Sequence, residues 1–194
     1  MRSVIVTNIV SLDGYYAASD GNPLVLNMDE AFDVYNRERI EAADTVLLGR
    51  TSFEEFGSYW PSIADAPEDP ENPALDEENR RISRAWAVTP NVVVSDRYTV
   101  PPAHPWADHT TVVARDGVKE WLANSSGEVV VFGSRTMWNA LLDQGLIDEV
   151  HLMVSPTVLG DGVPAFTAPR RLRLLGTRTF DGSDNVLHRY AAQR

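Results

Sequence analysis

Residues Glu128–Leu142 read EVVVFGSRTMWNALL. The run Val129–Phe132 is short, continuously apolar and rich in β-branched residues, which suits a strand buried on both faces. Gly133 ends it. From Ser134 onward the pattern is helical: Met137, Trp138, Leu141 and Leu142 make one apolar stripe, and Gly145 stands where a C-terminal cap belongs. A strand that feeds a helix through one glycine is half of a parallel α/β unit. The glycine has two readings. It can be a plain turn, with Ser134 as an N-cap, or it can bring the backbone close to an anion.

The rest of the chain repeats this grammar. Strands are expected at Val4–Val10, Thr45–Leu48, Asn91–Ser95, Thr111–Ala114, Glu128–Phe132 and Glu149–Ser155. Helices are expected at Asp29–Ala42, Thr51–Phe56, Leu75–Trp86, Asp116–Asn124 and Ser134–Gln144. Two last strands, near Arg171–Phe180 and Asn185–Ala192, flank DGSDN (Asp181–Asn185) and read as an antiparallel hairpin at the sheet edge. The alternation predicts an α/β fold, parallel in the middle, in a single domain over residues 1–194. Asp65–Glu78 carries seven acids, three prolines and no base. It reads as a solvated loop entering an acidic helix start; a lid is the sharper alternative.

Composition excludes several functions. The net charge is -11, so nucleic acid and anionic membranes are not expected partners. No apolar run nears the roughly 18 residues of a membrane span, and the N-terminus has no signal-peptide pattern. There is no cysteine, which removes disulfide and thiolate chemistry and fits a cytoplasmic protein. The four histidines show no metal-ligand spacing, so no metal is expected. The one lysine, Lys119, sits in a polar stretch unsuited to Schiff-base chemistry. No G-x-G-x-x-G, P-loop or G-x-S-x-G motif is present.

What remains is a set of three strand ends with similar chemistry. Gly49, Arg50 and Thr51 follow TVLL; Ser95, Asp96 and Arg97 follow NVVV; Gly133, Ser134, Arg135 and Thr136 follow VVVF. Ligands of parallel sheets bind outside the carboxyl ends of the strands. Helix N-termini, hydroxyls and guanidinium groups there suit phosphate. Each corner alone has a bland reading as turn and cap. Together they point to a ligand with several phosphates.

Three of these segments, GRTSFEEF (Gly49–Phe56), NVVVSDR (Asn91–Arg97) and VVVFGSRTMWNALL (Val129–Leu142), resemble the cofactor-binding segments of dihydrofolate-reductase-like proteins. VTNIVSLDGYYA (Val6–Ala17) and LIDEVHLMVSPTVLGDGVPAF (Leu146–Phe166) are similar to the reductase domain of riboflavin biosynthesis and its small stand-alone relatives. The resemblance covers nearly the whole chain, in order. It implies a mixed, mostly parallel sheet of about eight strands, a NADPH-dependent reductase acting on a small heterocyclic or carbonyl/imine substrate, and a homodimer. It also implies that Gly133, Ser134, Arg135 and Thr136 hold pyrophosphate. Gly49, Arg50 and Thr51 would hold pyrophosphate or adenosine, and Ser95 and Arg97 the adenosine 2′-phosphate. Two departures stand out. Ser134 replaces a usual second glycine, and Asp96 sits between the 2′-phosphate residues. A protein that binds the cofactor without turnover is the alternative favoured by Ser134 and by the lack of a single clear acid.

Two carboxylates are candidates for the chemistry. Asp13, in SLDG after the first strand, could bind or polarise substrate, or close an Asx-turn. Asp33, near the start of the first helix, lies where the resemblance to dihydrofolate reductases implies the acid that pairs with substrate; Asp29 and Glu30 compete for that place. Tyr15, Tyr16, Tyr59 and Trp60 could stack on a flat ring or close the core.

Overall fold

The computed structural model describes residues 2–69 and 71–193. In chain order the main elements are β1 (Ser3–Val10), β2 (Tyr15–Ala17), α1 (Glu30–Ala42), β3 (Thr45–Gly49), α2 (Arg50–Tyr59), α3 (Glu77–Trp86), β4 (Asn91–Val94), β5 (Thr110–Val113), α4 (Val118–Asn124), β6 (Glu128–Phe132), α5 (Arg135–Asp143), β7 (Glu149–Val154), β8 (Val163–Pro164), β9 (Leu172–Thr179) and β10 (Val186–Ala192).

Eight strands form one sheet in the order β5-β4-β3-β6-β1-β7-β10-β9. The first six are mutually parallel, and β10 and β9 run antiparallel to their neighbours at one edge. This is the α/β fold expected, with its C-terminal hairpin. A second, two-stranded sheet pairs β2 with β8; neither strand is long enough to leave a period in the sequence.

The apolar runs are continuous because both sheet faces are covered. Along β6, Val129 and Val131 face one layer with Trp138, Leu141 and Leu142 of α5 and Leu122 of α4. Val130 and Phe132 face the other, with Ile40 of α1 and Ile82 and Trp86 of α3. Each fully buried side chain of this kind contributes about 1.5–3 kcal/mol. Asp29 starts α1 by accepting the Ala31 and Phe32 amides, and Asp76 starts α3 by accepting the Asn79 amide.

Beneath α2 lies an aromatic stack. The His104 ring packs flat on Phe53 at 4.3 Å, and Trp106 lies flat on Trp86 at 4.9 Å. His104 also crosses the α2 backbone so closely that a Cβ on Gly57 would lie 2.3 Å from its Nε2. Gly57→Ala is expected to destabilise the protein by about 1–3 kcal/mol in denaturant unfolding. In a His104→Ala background the same change should become neutral or favourable, since alanine is the better helix former by about 1 kcal/mol. Additive costs across the pair would place the strain elsewhere.

Candidate functional site

β4, β3 and β6 are consecutive in the sheet, so the three phosphate-suited corners lie side by side at its carboxyl edge. At the usual strand spacing they span roughly 10 Å. Gly49 is the N-cap of α2 and Ser134 the N-cap of α5, and neither helix start is closed by a side-chain acceptor. The first-turn amides therefore have no internal partner, and the positive ends of both dipoles face the same edge. Neither first turn contains an acid, whereas those of α1, α3 and α4 do.

Gly133 has two reasons to be glycine. Its φ is +53°, and a Cβ there would lie 3.2 Å from Ser52 Oγ, 3.3 Å from Phe56 Cζ and 3.5 Å from the Tyr16 hydroxyl. Ser134 follows with φ 52° and ψ 40°, also left-handed. Its side chain does not stand out into the groove: the residue is 8% exposed and its Oγ accepts the Gly49 N–H at 2.9 Å.

The charged members of the corners are unevenly placed. Arg50 is exposed, pairs with Glu54 at 3.1 Å and lies over the Tyr98 ring. Arg135 donates through Nε to the Pro164 carbonyl of β8. Thr51 and Thr136 are exposed at the two helix starts. Ser95 donates its amide to the Val113 carbonyl. Arg97 is exposed beside it and enters no ion pair among the described residues. Asp96, between them, is answered by Arg115, whose amide and guanidinium donate to the two carboxylate oxygens at 2.9 and 3.1 Å.

The two candidate acids differ sharply. The Asp13 carboxylate accepts from Ser11 Oγ at 2.6 Å, from the Gly160 amide at 2.7 Å and from the Leu159 amide at 3.2 Å. The Ser11 hydroxyl, helped by the two amides, holds its pKa below the ordinary carboxylate range. Asp13 thus ties the loop after β1 to the loop after β7. Asp33 lies in the first turn of α1, half-buried against α3. Burial pushes its pKa up to about 6; the Asn79 amide, donating at 3.0 Å, opposes this, while Asp76, Asp29 and Glu78 add to it. Tyr59 is within electrostatic reach of Asp33, and Trp60 meets it edge-on at 5.0 Å.

Tyr16 stands at the turn itself. Burial, and after it the charge of Glu55, raises its hydroxyl to about 12, so it remains a proton-bearing donor. The segment Asp65–Glu78 is gathered by Arg80, which donates to the carbonyls of Ile63, Ala64, Ala66, Pro67 and Leu75. Sequence reasoning passed over Ser52, Asn79, Arg80 and Arg115; each acts through a partner distant in sequence, and no motif marks it. His151 is buried between the Tyr35 hydroxyl at 2.6 Å and Glu149 at 2.8 Å. No group of His, Asp and Glu among the described residues could hold a metal ion, and no helix is long and apolar enough to cross a membrane.

Comparison with known proteins identifies the family and the fold. Residues 2–186 match the family model of the RibD C-terminal domain, and the chain belongs to that family. The uncharacterized protein YyaP of Bacillus subtilis is 26% identical over 186 residues, covering 92% of this chain and 89% of its own. A solved deaminase/5-amino-6-(5-phosphoribosylamino)uracil reductase from Thermotoga maritima superposes with TM-score 0.64 at 18% identity, covering 99% of this chain and 57% of that one. A pyrimidine reductase-like protein from Corynebacterium diphtheriae superposes with TM-score 0.61 at 13% identity, covering 99% and 92%. At such identities the superpositions show the fold.

The Asp13 tether has a signed pH dependence. Its folded pKa is depressed, so its contribution is present above the ordinary value of 3.8 and is lost as pH falls through the folded value. In Asp13→Asn the Leu159 and Gly160 amides should show lower protection factors at neutral pH, and those of the unaltered protein should lose protection, relative to the intrinsic rate, in acid. Unchanged exchange in the variant would remove the tether.

Proposed function

We propose that this protein is a NADPH-dependent reductase that delivers hydride to a small, flat nitrogen heterocycle of pyrimidine or pteridine type, as in the riboflavin pathway. The observation that carries this reading is the pair of uncapped, acid-free helix starts on adjacent strands, with a third basic corner at β4 beside them. That donor set fits a pyrophosphate flanked by a phosphate monoester. The uracil reductase of Thermotoga maritima and the pyrimidine reductase-like protein of Corynebacterium diphtheriae have this fold; the family resemblance adds a homodimer, and the lack of cysteine fits a cytoplasmic one.

A bound nicotinamide supplies hydride, and the protein binds, orients and provides a proton. First-turn amides of α2 and α5 would hold the pyrophosphate, with Thr51 and Thr136 hydroxyls at hand. Ser95 and Arg97 would face the 2′-phosphate, and the Asp96–Arg115 pair keeps that carboxylate's charge compensated. Tyr16, protonated at the glycine turn, is a donor toward the same ligand. Asp33 is the better proton source of the two acids, because burial retains its proton where three donors strip Asp13 of its own. The alternative of binding without turnover drew on Ser134 and on the lack of a single clear acid; the Ser134 side chain is buried and occupied with Gly49, so that alternative now rests on the acid.

The first test is titration of the protein with NADPH and NADH, followed by tryptophan fluorescence. Tight NADPH binding is expected, and no binding of either overturns the reading. Arg97→Ala should weaken NADPH more than NADH; equal losses would remove Arg97 from the 2′-phosphate.

Turnover needs Asp33 in its acid form. Its folded pKa is raised, so the acid form prevails below about 6 and is lost as pH rises through that value. The rate should therefore fall on the alkaline side of about 6. Asp33→Asn should lower turnover by about 10²-fold or more while NADPH still binds. Full turnover in that variant would return the role to another group.

A further inference from the structure

Two reciprocal hydrogen bonds join the start of α2 to the start of α5. The Ser134 N–H donates to Ser52 Oγ at 2.9 Å, and the Gly49 N–H donates to Ser134 Oγ at 2.9 Å. Both serines are buried, at 8% and 9% exposure. Gly49 and Ser134 are the residues from which the two helices start, and Ser52 lies in the first turn of α2.

The backbone makes the clasp necessary. The β3–β6 ladder pairs only Thr45 with Val129 and Val46 with Val130. Gly49 lies three residues past the last pair, roughly 10 Å further along the strand. The ladder therefore ends well before the helix starts it would have to align. Ser134 is also the single non-glycine with positive φ among the described residues. A serine is held in this strained region only where its surroundings require it. Here its amide and its hydroxyl each meet a partner on the neighbouring unit.

We propose that Ser134 is a positioning residue that sets the separation of the two phosphate-facing helix starts, rather than a contact of the phosphates. The proposal rests on the cofactor reading above. A pyrophosphate needs both helix starts at one fixed spacing, and holding them there before binding removes an ordering cost. A ligand that brings only one phosphate to the two helix starts, its other phosphate lying at the Ser95–Arg97 corner, uses one start and is insensitive to the spacing.

The test compares NADPH with adenosine 2′,5′-bisphosphate, titrated calorimetrically into the unaltered protein, Ser134→Ala, Ser134→Gly and Ser52→Ala. NADPH affinity should fall about tenfold in each variant, and the affinity for the bisphosphate should change by less than about twofold. Ser134→Gly loses the hydroxyl but relieves the positive φ, so it keeps the test valid if Ser134→Ala folds poorly. Unaltered NADPH affinity in Ser134→Gly overturns the proposal. Parallel losses for both ligands also overturn it, since they would mean general loosening or direct contact. Failure of the unaltered protein to bind NADPH overturns the cofactor reading, and this proposal with it. Tight binding by the unaltered protein with no selective loss overturns the proposal alone.

Discussion

Two helices begin next to one another at the carboxyl edge of the sheet, and most of the site follows from that placement. Each helix start carries about half a positive charge, so the two repel when side by side and uncapped. Elsewhere the protein softens such starts with acids: Asp29 and Asp76 accept the leading amides of α1 and α3, and further acids sit in those first turns. It does so nowhere in α2 or α5, although the net charge of -11 reflects ample acid to place there. Under the proposed function an anion between the two starts would relieve this repulsion. The Ser134–Ser52 and Gly49–Ser134 bonds hold the two starts together against it.

The strands and helices were legible in the sequence because burial on both faces leaves an unmistakable mark. VVVF has no polar face because Val129 and Val131 enter one core layer while Val130 and Phe132 enter the other. The same holds for the other middle strands, and the helix period around Trp138 was equally plain. β2 and β8 were not legible. They are three and two residues long, and their pairing depends on loops tied together elsewhere by Asp13 and by the Leu12 amide on the Thr157 carbonyl. Contacts of this kind span well over a hundred positions and leave no local period.

The corners of the site were legible as residue types, but their connections were not. Asp96 read as a misplaced charge beside Ser95 and Arg97; its partner, Arg115, stands nineteen residues on. Ser134 read as an obstruction at the phosphate turn, and its side chain instead bridges to β3. Both departures from the family pattern are resolved by partners that only the parallel sheet brings near. The acidic run Asp65–Glu78 likewise read as a solvated loop or a lid. Arg80 offers a physical reason for order there: its guanidinium donates to five backbone carbonyls in and just before that segment, those of Ile63, Ala64, Ala66, Pro67 and Leu75.

That clasped loop also bears on where a proton resides. It leads directly into Asp76, which is committed as the N-cap acceptor of α3 through the Asn79 amide at 2.8 Å. The Asn79 side chain then donates at 3.0 Å to both Asp76 and Asp33. Two carboxylates that share one amide and face each other across it resist being charged together. Burial disfavours the Asp33 anion, and the charge of neighbouring Asp76 adds to that. Asp13 shows the opposite outcome for the same side chain, with three donors and open solvent in place of an acidic neighbour. The difference between an acid that keeps its proton and one that serves as a tether therefore lies in what the adjoining loops present to each carboxylate, and not in the residue itself.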